Sequence, residues 1–173
     1  MKHRKGKWKA KEPVETSARR ELPLFAEEYF AEGRKAVKRG SSAETLHGFR
    51  LSTKHLRYLM ELFRPLYGPR MDTLLEQLKH VQTLLGELND YAVTREMLAD
   101  GADAGHPDTR QLLRHLTKQE RTKKTEFRKY WAEEFDGDRQ EEQWMQYLSR
   151  VAGKKGANRA EPVTPSAKTK ASS

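Results

Sequence analysis

The chain of 173 residues contains no cysteine, so disulfides and thiolate metal sites are excluded. No apolar run approaches the ~20 residues needed to span a bilayer. The basic N-terminus is not followed by the apolar stretch of a secretory leader, so the expected location is the cytoplasm. No segment alternates apolar and polar residues as a half-buried strand does, and no block of 20 to 50 residues repeats. A glycine-rich phosphate loop, a nucleophile paired with a base and a carboxylate dyad are all missing. His47, His55, His80 and His115 lack zinc-ligand spacing. These absences argue against a metal, a cofactor and catalysis, and leave a binding role as the expectation.

Acidic residues are also outnumbered: 34 Lys and Arg against 25 Asp and Glu give a net charge of +9. Residues 1–20 hold eight Lys/Arg against Glu12 and Glu15, a net of +6, and residues 151–173 hold five against Glu161, a net of +4. Taking both from the whole-chain +9 leaves residues 21–150 at −1. The basicity therefore belongs to the two ends, whose Lys-, Pro-, Ser- and Ala-rich composition reads as disordered tails flanking a bundle over 21–150. A near-neutral core has to gather its positive charge locally to hold a polyanion. Nucleic-acid binding driven by the tails is the competing reading, with weak contacts through the tails alone.

Helical period is present in five stretches. The first is expected from Leu22 to Arg39, with Pro23 in its first turn and Gly40 ending it. The second runs from Ser41 or Ser42 to about Tyr67, where Gly68-Pro69 breaks it. The third runs from a cap near Asp72 to about Leu98, and the fourth from Asp108 to about Phe135 after a connector at 101–107. A short fifth helix, Gln140 to Val151, carries Trp144, Tyr147, Leu148 and Val151 at spacings suited to covering the end of a bundle. Short connections imply antiparallel neighbours, hence an all-α, up-and-down bundle of four long helices plus a short C-terminal one.

On the second helix, at about 100° per residue, Leu46, Phe49, Thr53, Leu56, Met60 and Phe63 form a core stripe. His47, Arg50, Lys54 and Arg57 form a second stripe one position later, roughly 15 Å long at ~1.5 Å per residue. Leu51, Tyr58 and Leu62 flank it. Lining up like charges costs a few tenths of a kcal/mol per pair in an isolated helix, which an anion would offset. Arg50 and Arg57 could grip phosphate oxygens in bidentate fashion, with Lys54 as a point charge and His47 as a donor whose charge depends on pH. The alternative is a solvated face, or one paired with carboxylates of neighbouring helices; Glu61 and Arg64 continue the line, and an ion pair there could close its end.

The third helix repeats the arrangement. Lys79, Gln82, Gly86 and Asn89 lie one position on from its core stripe. Lys79 and Gln82 could extend a phosphate site. Gly86 in mid-helix costs about 1 kcal/mol relative to Ala, which points to close approach of a neighbouring helix or of a ligand. Asp90 is expected to pair with a cation of the second helix. Arg34 and Lys38 on the first helix, and Arg114, Lys118 and Arg121 on the fourth, are candidate extensions of a groove. A solvated face balanced by Glu120, Glu126 and Glu133 is the alternative for the fourth.

The run Leu46-His47-Gly48-Phe49-Arg50-Leu51, Lys54-His55-Leu56-Arg57-Tyr58 and Glu61-Leu62-Phe63, followed by Val81-Gln82 and Leu85-Gly86-Glu87-Leu88-Asn89-Asp90, resembles the CHAD domain, the conserved-histidine α-helical domain. The resemblance is strongest over about residues 42–98. It implies a helical bundle that binds inorganic polyphosphate along a basic central surface, with His47 as the namesake histidine and Arg50, Lys54 and Arg57 at phosphate-facing positions. It further implies an association with polyphosphate granules or with enzymes that process phosphate chains, for which an accessory subunit is the alternative role. Full-length members carry two such helical repeats related by a pseudo-two-fold. This chain carries one, resembling the second, so a homodimer is the expected way to restore the pair.

Overall fold

The structure is a computed structural model that describes residues 5–101 and 106–150. Five helices follow one another with no strand among the described residues: α1 Val14–Ala36, α2 Ala43–Phe63, α3 Arg70–Gly101, α4 Pro107–Tyr130 and α5 Gln140–Leu148. A 3-10 turn, Arg64–Leu66, ends α2 at Pro65, and a π turn, Trp131–Phe135, extends α4. No helix among the described residues is long and apolar enough to cross a membrane.

Neighbours pack in the order α5–α1–α2–α3–α4. Side-chain contacts run in opposite senses along each pair, which makes the pairs antiparallel. Phe25 meets His55 while Tyr29 meets Thr53, His47 meets Asn89 while Arg57 meets Gln82, and Glu87 meets Lys123 while Arg95 meets Glu120. The all-α bundle expected from the helical period is therefore present.

Its centre is aromatic. Phe30, Phe49, Phe127, Trp131, Phe135 and Trp144 are all essentially buried. Trp131 stacks on Phe135 with ring centres 4.7 Å apart, and Phe30 meets Trp144 edge to face at 5.6 Å. Gly33 lets this cluster close, because a Cβ there would fall 2.0 Å from Trp131 Cη2. Tyr29 shares a 3.1 Å hydrogen bond with Thr53, whose hydroxyl donates to the Phe49 carbonyl, and burial pushes the Tyr29 phenol well above its ordinary pKa. The Tyr67 hydroxyl donates to the Leu148 carbonyl and so ties α5 to the α2–α3 connection.

The N-terminal boundary differs from expectation. Residues 5–20 are not a free tail: α1 begins at Val14, and Ser17, Ala18, Glu21 and Leu22 are buried. Arg20 binds the carboxylates of Glu12 and Glu21 and the Lys7 carbonyl, and Trp8 stacks on Phe25 and Phe63. Pro23 sits inside α1 rather than in its first turn. An interior proline costs ~3 kcal/mol, and the burial and ion pairing of the preceding turns offset it.

Other termini shift by a few residues. Ser42 caps α2 as expected, accepting from the Thr45 amide. The cap of α4 is His106 rather than Asp108, and Gly40 turns the chain after α1 at φ +82°. The expected contribution of Val151 and the expected C-terminal tail lie outside the described residues, as do residues 102–105 of the α3–α4 connector.

Candidate functional site

The basic stripe lies along α2 where α2 meets α3. Its residues fall there because Leu46, Phe49, Thr53, Leu56, Met60 and Phe63 all point inward, which turns the positions one residue later toward α3 and solvent. His47 is exposed, and its Nδ1 donates to Asn89 Oδ1 of α3 at 3.3 Å. Nearly three turns on, Arg57 is held from three sides. Its Nε donates to Gln82 Oε1 at 2.8 Å, its Nη1 bonds Glu61, and its guanidinium lies 4.5 Å from the Tyr58 ring centre. Both ends of the stripe are thus fixed by α3 side chains from the matching line.

Between these ends Arg50 and Lys54 are half-buried, and neither makes an ion pair among the described residues. The Nε of Arg50 is buried without a hydrogen-bond partner. A buried donor left unbonded costs about 1–3 kcal/mol, so an anion seated here would satisfy a group that the fold leaves open.

Gly86 lies between Gln82 and Asn89 on the same line of α3, half-buried, and a Cβ there would meet nothing within 4 Å. The expectation that a neighbouring helix packs on Gly86 is therefore incorrect. The space beside it is open along the stripe. Asp90 does not form its expected ion pair with α2 either: it is exposed and unpaired among the described residues. One residue beyond Asn89 turns it about 100° away from α2.

Lys79 is exposed and paired with Glu76 at 3.4 Å, so its charge is only loosely available. The further candidates do not join the stripe. Arg34 donates twice to Asp136 and once to Glu141, at 2.6–2.8 Å, at the α1–α5 contact. Lys38 is exposed beside it, and its carbonyl accepts from Arg128.

Arg114, Lys118 and Arg121 are exposed on α4. Helix α4 meets α3 through Lys123 on Glu87 and Tyr130 on His80. At about 100° per residue these α3 positions lie nearly opposite Gln82 and Asn89, so α4 packs away from the middle of the stripe and comes near it only at the His47 end, through Glu120 and Lys124. Two of its other cations are neutralised locally, Lys124 by Glu120 and Lys123 by Glu87 and Glu126. Those two carboxylates raise the Lys123 pKa above its ordinary value.

Asn89, Glu61 and Tyr58 are the residues that the stripe alone undervalues. Their signal in the sequence was present as spacing, since Asn89 follows Gln82 by seven residues and Glu61 follows Arg57 by four. Among the described residues no group of three or more His, Asp or Glu is placed to hold a metal.

The family model for the CHAD domain matches residues 1–99. The chain belongs to the CHAD domain family. The match covers α1, α2 and all of α3 but its last two residues, and so includes both lines of the site; α4, the π turn and α5 lie beyond it. CHAD domains are in general associated with polyphosphate binding. No curated protein and no solved structure matches the chain.

Proposed function

We propose that this CHAD domain binds inorganic polyphosphate, or a closely similar phosphate polyanion, in the furrow between α2 and α3, and that it does so without catalysis. The observation that carries the reading is the pair Arg50 and Lys54, half-buried, free of carboxylates and set between two anchored residues, His47 and Arg57. Arg57 and Gln82 present a fixed edge, and Gly86 leaves room for a chain to lie close to the α3 backbone. Polyanion binding of this kind rises with chain length and falls steeply with salt.

Thermal unfolding with and without polyphosphate of defined length tests it: ligand at about 100 times its dissociation constant adds roughly 2.7 kcal/mol to stability. No shift at low ionic strength would remove the reading. Shortening of the chain on incubation with a divalent metal would instead revive an enzymatic role.

A second copy is the proposed partner. Leu51, Tyr58 and Leu62 are 41%, 54% and 71% exposed and line the outer face of α2 beside the basic stripe. Two α2 helices packed antiparallel through this face about a two-fold normal to both would bring their basic stripes to the same side. Sedimentation with polyphosphate checks this: the chain is expected to dimerise and a Tyr58→Glu, Leu62→Glu variant to stay monomeric, and a monomeric unsubstituted chain would rule it out.

A further inference from the structure

Where α2 begins, the bundle core is left open. A pocket of about 280 Å³ lies there, floored by Leu85, Leu88, Ala92 and Val93 of α3 and walled on one side by Leu46 of α2. Its lip on the stripe side is His47 with its hydrogen-bond partner Asn89. One residue therefore belongs both to the phosphate-facing stripe and to an apolar hole.

The charges around the hole decide what can enter it. Glu120 and Lys124 line the far wall, but they are bonded to each other at 2.7 Å, and Arg95 adds a second cation to Glu120. Glu44 and Glu96, which also line it, make no ion pair among the described residues. A phosphate is unwelcome beside two such carboxylates, whereas a compact apolar group bearing N–H donors suits them. An acyl chain supplies no donors for these carboxylates; a purine supplies both a flat apolar body and an amino group. Pockets that recognise small ligands combine apolar walls with a few polar groups in this way.

We infer that the pocket takes the base of a nucleoside polyphosphate whose phosphate chain runs past His47 onto Arg50 and Lys54. This rests on the phosphate reading of the stripe and adds the identity of the group at the chain's end. Binding is non-covalent and needs no reaction.

Calorimetric titration with adenosine 5′-tetraphosphate and with inorganic tetraphosphate at one ionic strength tests it. Both have four phosphates, and the inorganic chain carries the greater charge, so electrostatics alone favours the uncapped ligand. The expected result is about tenfold tighter binding of the nucleoside form. Equal or weaker binding, or no measurable heat from it, overturns the inference.

Ala92→Phe, which fills the pocket, is expected to bring the capped ligand down to the affinity of the uncapped one and to leave the latter unchanged. Val93→Trp at the half-exposed rim serves the same purpose if Ala92→Phe does not fold. A capped-ligand advantage that survives a folded pocket-filling variant also overturns the inference. The stripe is tested separately: inorganic tetraphosphate binding that is indifferent to Arg50→Ala, Lys54→Ala, Arg57→Ala would count against the phosphate reading itself.

Discussion

Arg34 and Arg50 stand on adjacent helices, and both look like phosphate ligands in a list of cations. Arg34 donates two bonds to Asp136 and a third to Glu141, and these carboxylates hold its guanidinium pKa above the ordinary value. Among the described residues Arg50 meets no carboxylate, and its Nε is buried without a partner. The same division separates Lys123, gripped by Glu87 and Glu126, from Lys54. What matters for polyanion binding is the charge a fold leaves uncommitted rather than the number of cations it carries. Arg114, Lys118 and Arg121 of α4 are also without an ion pair among the described residues, but they are exposed, whereas Arg50 and Lys54 are half-buried between anchored neighbours.

The largest expected effect breaks the comparison from the uncommitted side. Arg50→Ala, Lys54→Ala, Arg57→Ala together should weaken polyphosphate binding by about 100-fold, since each lost charge-assisted contact is worth ~1 kcal/mol or more. The slope of log affinity against log salt should become shallower by about 2, at roughly 0.7 per phosphate of a flexible strand. Titration over a range of salt concentrations measures both, with circular dichroism showing that the helices persist.

Gly86 comes next. A bulky Gly86→Trp should cost about tenfold in affinity by occupying the furrow. Gly86→Ala meets nothing and should stabilise α3 by about 0.5–1 kcal/mol in urea unfolding. Gln82→Ala removes one of the three partners of Arg57 and should weaken binding about threefold, because the guanidinium keeps its other two and is loosened rather than lost.

The smallest effect comes from the committed side. Arg34→Ala should leave polyphosphate affinity within about twofold and lower stability by about 1 kcal/mol or less, because the side chain is half exposed and solvent screens its pairs. A loss of binding comparable to that of the stripe variant would erase the distinction between the two arginines.

What the sequence disclosed follows from how far each inference had to reach. The stripe on α2 and the matching line on α3 needed only the rotation of a single helix, and the structure brings them together through His47–Asn89 and Arg57–Gln82. Choosing which helix faces which cation needs tertiary geometry, so Arg34, Arg114, Lys118 and Arg121 could not be sorted by spacing. The start of α1 was hidden by two local signals, the basic run and Pro23. They were outweighed by contacts thirteen and more residues apart, such as Arg20 to the Lys7 carbonyl and Trp8 to Phe63. The role of Gly86 was open in the sequence because a bare Cα reports a missing side chain without reporting what stands opposite it.

The π turn at Trp131–Phe135 has a consequence for how this chain tolerates change. Its wide loop is closed by the Asp136 amide on the Trp131 carbonyl at 2.7 Å. It keeps Phe135 stacked under Trp131 and delivers Asp136 to both Arg34 and the Trp131 indole N–H. Ala132, Glu133 and Glu134 face solvent, so their identities carry little weight, but their number carries a great deal. Losing one of them leaves too few residues for the wide turn that sets Phe135 under Trp131 and Asp136 beside Arg34. The aromatic stack and the clamp on Arg34 would be undone together. Substitutions in this stretch should be silent where a single-codon deletion is not.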